Sequence, residues 1–160
     1  MDAQTFSQEA MKLERLLYRI SWAYLRRDAD CADAVQETLL KAWQQREKLR
    51  SMETFRAWLC RILVNTCKDM LKRRNRTDMV ELTEEITADA APHAAIELWD
   101  AVSRLPGEQR ICVILHYLEG WSVAEVARTL GVPQGTVKSR LLYARNHLKE
   151  DLQEEKEAGA

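Results

Sequence analysis

Glycine and proline are scarce in this chain. Five glycines and three prolines serve 160 residues. Tight β-turns cannot be frequent, so strand-rich folds are disfavoured. Leu, Ala, Glu, Arg and Lys dominate instead, and an all-α fold is expected. Cysteine is also sparse: Cys31, Cys60, Cys67 and Cys112 are scattered, with no CxxC pair. That argues against a disulfide framework and favours reduced, buried thiols. Cys112 and His116 stand four apart, and Cys60 and Cys67 share a helix face. A structural zinc site takes four ligands, and none is assembled locally. No apolar run approaches the roughly 18 residues of a membrane span. The start MDAQTFSQEAMKLERLL lacks a signal-peptide layout, so a cytoplasmic location is expected. There is no phosphate-cradling glycine loop, nucleophile motif or paired catalytic carboxylate. Neither an enzyme nor a cofactor or metal is expected.

What is present is segregated charge. Residues 1–74 carry 15 Lys and Arg against 10 Asp and Glu. Residues 75–97 carry 1 against 6, and residues 98–150 carry 7 against 5. Two basic blocks flank an acidic connector, as two polyanion-facing lobes would require. Chance segregation of surface charge gives the same pattern, so charge alone decides nothing.

Hydrophobic periodicity divides the chain. Leu13, Leu16, Leu17, Ile20 and Tyr24 predict one helix from about Ser7 to Leu25. A break at Arg26–Asp28 follows, with Asp28 or Asp30 as a candidate cap. The next helix is expected to run to about Lys48, with Val35, Thr38, Leu39, Ala42 and Trp43 inward. After a loop, Phe55, Trp58, Leu59, Ile62, Leu63, Thr66 and Met70 mark a third helix, from about Thr54 to Arg74. Residues 77–93 read as a linker. Ile96, Trp99, Val102 and Leu105 mark a short helix, and another spans about Glu108 to Leu118. Two more follow, about Ser122–Leu130 and Gln134–Glu150. The expected organisation is a first helical domain over 1–76, the linker over 77–93, a second helical domain over 94–152, and a frayed tail over 153–160.

The stretch from Ser122 to Leu141 has helix-turn-helix layout. Ser122 and Glu125 form a capping-box pattern. Gly131 suits the positive φ of the sharp turn, Val132 the corner, and Pro133 the following helix start. Helical geometry at about 100° per residue puts Val137, Leu141, Ala144 and Leu148 on the core face. Gly135, Lys138, Ser139, Leu142, Tyr143 and Asn146 face outward. Gly135 and Thr136 keep the helix start uncrowded, and its amides suit a phosphate. Lys138, Arg140 and Arg145 add charge for a helix lying in a major groove. A helical hairpin at a protein interface is the competing reading.

LPGEQRICVILHYLEGWSVAEVARTLGVPQGTVKSRLLYARNHLK, residues 105–149, resembles the −35-binding domain of bacterial RNA polymerase sigma factors of the extracytoplasmic-function group. The resemblance implies a −35 contact set of Gln134, Gly135, Thr136, Lys138, Ser139, Arg140, Leu142, Tyr143 and Arg145. ADCADAVQETLLKAW, residues 29–43, resembles the segment with which these factors grip the polymerase β′ clamp helices. Asp33, Gln36, Glu37, Leu40 and Lys41 share one helix face there. A mixed polar face suits charge-assisted bonds to a basic partner helix.

FRAWLCRILVNTCKDMLKRRNR, residues 55–76, resembles the −10-element segment. Arg61, Asn65, Lys68 and Lys72 line its outer side, with Arg73 beside them. One amide among cations suits strand tracking with limited base reading. The resemblance implies that residues 49–54 are the loop that holds a flipped base, with Asn65 a candidate base contact. It further implies core RNA polymerase, through the β′ clamp helices and the β flap, promoter DNA and an anti-sigma factor as partners. Some 20 linker residues reach roughly 70 Å, about two turns of DNA at about 34–36 Å each. Residues 77–91 are assigned the path through the polymerase active-site channel. Neutralising Glu81, Glu84 and Glu85 is then expected to lower abortive and full-length transcript yields. The rival readings are a self-sufficient helix-turn-helix regulator with an N-terminal sensor or dimerisation module, and a helical adaptor without DNA affinity.

Overall fold

The computed structural model describes residues 1–77 and 93–158; the acidic residues assigned to the linker, Glu81, Glu84 and Glu85 among them, lie outside that set. The chain divides into two compact units, one drawn mainly from the N-terminal half and the other mainly from the C-terminal half. Among the described residues all regular structure is helical. None of these helices is long and apolar enough to cross a membrane.

The first unit opens with two helices where one was expected. These are α1 (Ala3–Lys12) and α2 (Glu14–Leu25). Asp2 caps α1, its Oδ1 accepting from Thr5 N–H at 2.7 Å. The break falls at Leu13, which leaves helical geometry at φ −99° and ψ 5°. No glycine or proline marks it, so the apolar period runs straight across. Arg26 then ends α2 in the left-handed region at φ 61°, a conformation that usually falls to glycine.

Helix α3 (Asp28–Gln44) gives way to a 3₁₀ turn, Arg46–Lys48, before the expected Lys48 end. Neither Asp28 nor Asp30 caps it: Arg27 is the cap residue, without a side-chain bond. The carboxylates sit inside the first turn, where they complement the helix dipole, and tertiary partners take them. Asp28 accepts from the Tyr18 hydroxyl, and Asp30 pairs with Arg74. Arg74 also donates to the Leu25 carbonyl at 3.2 Å, so one guanidinium ties α4 (Phe55–Thr77) to both ends of the α2–α3 corner.

Leu17, Ile20, Leu25, Leu59, Leu63 and Val64 are fully enclosed between α2 and α4 and α3, with Cys31, Cys60 and Cys67 among them. Val35, Leu39, Trp43, Trp58, Ile62 and Met70, read as inward, are half-buried.

Burial pushes the Cys31 and Cys67 thiols from the ordinary 9.0 up to about 12. The folded state therefore holds protons that the unfolded chain releases. This contribution to stability is intact below pH 9 and is lost as pH rises toward 12. The urea midpoint is expected to be lower at pH 10 than at pH 8. An aromatic disulfide reagent at pH 8 should label none of the four buried thiols until the chain is unfolded.

The second unit holds α5 (His93–Ser103), α6 (Gly107–Val113), most of α7 (Val123–Leu130) and α8 (Gln134–Ala158). The single helix expected over 108–118 widens after Val113 into a π-turn, Ile114–Leu118. There Glu119 N–H reaches the Ile114 carbonyl at 3.0 Å. Gly120 then reverses the chain at φ +74°. Val102, Leu105, Ile111, Ile114, Leu115, Trp121, Val126, Val137, Leu141 and Ala144 are buried in this unit. Helix α8 runs through Ala158, beyond the expected domain end. After Gly135 in the first turn no glycine or proline occurs until Gly159, and Asp151 pairs with Arg104 at 3.4 Å.

Candidate nucleic-acid and partner interfaces

The helix-turn-helix is closed by local chemistry. Glu125 N–H donates to Ser122 Oγ at 3.1 Å, and Ser122 N–H donates to Glu125 Oε2 at 3.0 Å. These reciprocal bonds fix the start of α7. Gly131 turns the corner at φ +70°, where a Cβ would be strained. Val132 N–H donates to the Ala127 carbonyl at 3.1 Å, and the Pro133 carbonyl accepts from Thr136 and Val137. Val137, Leu141 and Ala144 then face inward together, which turns the opposite side of α8 out.

That outer side carries most of the expected contact set. Gln134, Gly135, Lys138, Ser139, Leu142, Tyr143 and Arg145 are exposed, and Thr136 is half-buried. Leu142, 50% exposed, and Tyr143, 59% exposed, present apolar surface on this side. Such groups suit a base methyl or a sugar edge.

Arg140 stands apart from this row. It is half-buried, and its Nη2 lies 3.4 Å from Glu108 Oε2 of α6. Burial pushes the Cys112 thiol up, and the positive charge of Arg140 restrains that push. About 100° per residue places position 140 on the flank of α8 rather than in the Lys138 row. Arg145 donates to the Tyr117 hydroxyl at 3.0 Å. The Tyr117 ring meets His116 edge-on at 4.9 Å. His116 Nδ1 lies 2.7 Å from the Trp121 carbonyl; a carbonyl only accepts, so Nδ1 carries the proton. Cys112 is buried.

On the first unit, Arg61, Asn65, Lys72 and Arg73 are exposed along α4, and Lys68 is half-buried. On α3, Asp33, Gln36 and Leu40 are exposed, while Glu37 and Lys41 are half-buried. The two faces adjoin. Glu37 pairs with Lys41 at 3.1 Å and with Arg73 at 3.9 Å. Lys41 also reaches Thr66 Oγ1 at 3.3 Å. Pairs this exposed stabilise little, about 0–1 kcal/mol; their consequence is to join an acidic and apolar ridge to a cationic one.

The segment read as a loop over 49–54 is an ordered turn. Ser51 Oγ accepts from Glu53 N–H at 3.2 Å, and Thr54 Oγ1 donates to the Ser51 carbonyl at 2.8 Å. Met52 stands exposed within its 3₁₀ turn.

Four neighbours of these faces escaped the periodicity argument: Phe6, Arg46, Glu108 and Tyr117. Asp2 ahead of Thr5 is a readable helix start that would have brought Phe6 inside a helix. Glu108 and Tyr117 are held by Arg140 and Arg145 of α8, and Arg46 by Trp43 three residues before it.

Comparison with known proteins adds independent findings. Residues 10–77 match the family model for sigma-70 region 2, and residues 95–148 match that for sigma-70 region 4. The chain is 37% identical to the extracytoplasmic-function RNA polymerase sigma factor SigM of Mycobacterium tuberculosis over 150 residues, covering 92% of this chain and 76% of the relative. It is 38% identical to SigL of the same species over 162 residues, covering 89% and 90%. Its structure resembles the sigma factor RpoE of Bartonella quintana, solved in complex with the anti-sigma factor NepR. That match has a TM-score of 0.82 at 27% identity and covers 94% of this chain and 98% of the other.

Proposed function

Because the chain belongs to the sigma-70 family, in its extracytoplasmic-function group, we propose that its two units divide a promoter between them. The chain is a transcription initiation factor of RNA polymerase, not a self-sufficient regulator. The C-terminal unit reads the −35 element with the outer row of α8. Lys138, Ser139, Leu142 and Tyr143 face base edges; Gln134, Gly135 and Thr136 meet the backbone at the helix start. Arg145 approaches a phosphate from the flank, held by Tyr117. Arg140 braces α8 through Glu108, and the β flap of polymerase contacts this unit.

The N-terminal unit serves the −10 element and the enzyme. The ridge of Asp33, Gln36, Glu37, Leu40 and Lys41 takes the β′ clamp helices. Arg61, Asn65, Lys68, Lys72 and Arg73 track the unpaired non-template strand, and the ordered turn over 49–54 receives a base taken out of the stack. Extrusion costs a few kcal/mol, which polymerase contacts and strand contacts together offset. Residues 77–91 connect the two through the polymerase channel. An anti-sigma factor, such as the one that RpoE is bound to, is the proposed inhibitor.

The observation that carries this reading is the adjacency of the α3 ridge and the α4 cationic face, joined through Glu37, Lys41 and Arg73. A lone DNA-binding repressor has no use for a partner ridge beside a strand-tracking one. Transcription reconstituted from core polymerase and this chain tests it, with transcript ends mapped by sequencing.

A graded test concerns Lys138. If it reads a base with two bonds, Lys138→Ala costs about 1–3 kcal/mol and relaxes specificity at one −35 position. A uniform loss over all sequences, with a shallower salt slope, assigns it to a phosphate instead. Competition binding of holoenzyme to single-base promoter variants separates the two.

A further inference from the structure

Two helix ends flank the turn over 45–54, and one side chain touches both. Trp43 is the penultimate residue of α3, and Phe55 is the first residue of α4. The Phe6 ring meets Trp43 at 5.4 Å and 67°, and Phe55 at 5.8 Å and 87°. Both are the edge-to-face geometry that aromatic pairs favour. Phe55 in turn lies 6.0 Å from Trp58. The cluster continues into the turn itself. Arg46, its second residue, sits 3.9 Å over the Trp43 ring and donates to the Trp43 carbonyl at 2.8 Å.

Phe6 is 7% exposed and, with Ala10, is all that α1 buries. It also precedes the residues matched to the region 2 family model. Here a short helix delivers one ring to the base of one turn.

We propose that Phe6 is a positioning residue for the strand-holding turn over 49–54. Its ring fixes the spacing of the two stems, so that Met52 and the Ser51-capped backbone are presented to an unpaired base without an ordering cost at the moment of binding. The inference rests on the reading of that turn as the strand-holding element.

The test uses holoenzyme assembled from core RNA polymerase and the full chain. The probes are a fluorescein-labelled single strand from the non-template side of a start site mapped with the unaltered holoenzyme, and the matching −35 duplex. Phe6→Leu keeps an apolar side chain and loses the ring edges; Phe6→Ala is the stronger variant. Both are measured at a temperature where circular dichroism shows them folded. Single-strand affinity is expected to fall about tenfold in Phe6→Leu and further in Phe6→Ala. Polymerase affinity and duplex affinity should stay within about twofold. Asn65→Ala and Met52→Ala act as references and should lower single-strand affinity.

If those references lose affinity while both Phe6 variants keep it, the positioning role is wrong and the turn's own role stands. If the references also change nothing, the reading of the turn fails and takes the inference with it. A parallel loss of polymerase, duplex and single-strand binding in the Phe6 variants reduces Phe6 to a stability residue and likewise overturns it.

Discussion

Leu40→Asp is expected to weaken binding to core RNA polymerase by about 2–4 kcal/mol, the range of an interface hot spot, or roughly 30- to 1,000-fold. Leu40 is 58% exposed on α3. It lies on one face with Asp33, Gln36, Glu37 and Lys41, so it is an apolar centre with a polar rim. Interfaces concentrate their energy in such centres, where the rim excludes water. Asp there loses the apolar burial and adds a desolvated charge. The intramolecular cost is small because the side chain makes no core contact. The far-ultraviolet spectrum and thermal midpoint should be unchanged. Affinity is read by titrating core polymerase with labelled chain. Unaltered affinity in a folded variant would remove Leu40 from the interface. Asp33→Ala, on the rim, is expected to do much less, at high salt especially.

Arg110→Ala is expected to destabilise the C-terminal unit by about 3 kcal/mol. Arg110 is 5% exposed, and its Nη2 donates to the Leu105 carbonyl at 2.6 Å. The reason lies in the neighbouring residue. Pro106 leaves helical geometry at φ −54° and ψ 145°, and the Gln109 N–H that a continuing helix would bring to the Leu105 carbonyl goes to the Pro106 carbonyl instead, so the Leu105 carbonyl needs another donor. Truncation leaves that carbonyl unpaired and opens a void where the side chain lay. For a unit of this size the melting midpoint should fall about 10–20 °C. Arg110→Lys is not expected to restore it, because an ammonium lacks the planar fork of donors. Duplex binding through the −35 row should fall with the folded fraction. A full-length variant melting with the unaltered chain would mean that the Leu105–Pro106 corner does not depend on this arginine.

The helix-turn-helix was legible because its determinants are local. Ser122 with Glu125, Gly131 and Pro133 each act within four residues, and the apolar period of α8 sorts its two faces without reference to any neighbour. The broad faces of α3 and α4 were legible for the same reason. What stayed hidden was set by contacts between elements. Leu13 breaks a helix although the apolar spacing continues through it. Arg26 adopts a left-handed conformation that its side chain does nothing to advertise. Asp28 and Asp30 look like caps, and Tyr18 and Arg74 claim them instead. Arg140 carries the right charge for a groove, but Glu108 turns it back toward α6. The widened turn at Ile114–Leu118 leaves no mark in an apolar run that suits an ordinary helix equally well. Membership in a family added the partners, which no spacing in the chain reveals.

On the proposed reading, this chain specifies and opens promoters only as part of RNA polymerase. Permanganate footprinting tests it most directly, since unpaired thymines react and paired ones do not. The probe is promoter DNA mapped by reconstituted transcription, incubated with the chain alone, with core polymerase alone, and with both. Reactive thymines are expected around the −10 element only with both, and they should be lost when Leu40→Asp replaces the unaltered chain. A sequence-specific footprint on a palindrome by the chain alone, with no polymerase-dependent reactivity, would contradict that reading.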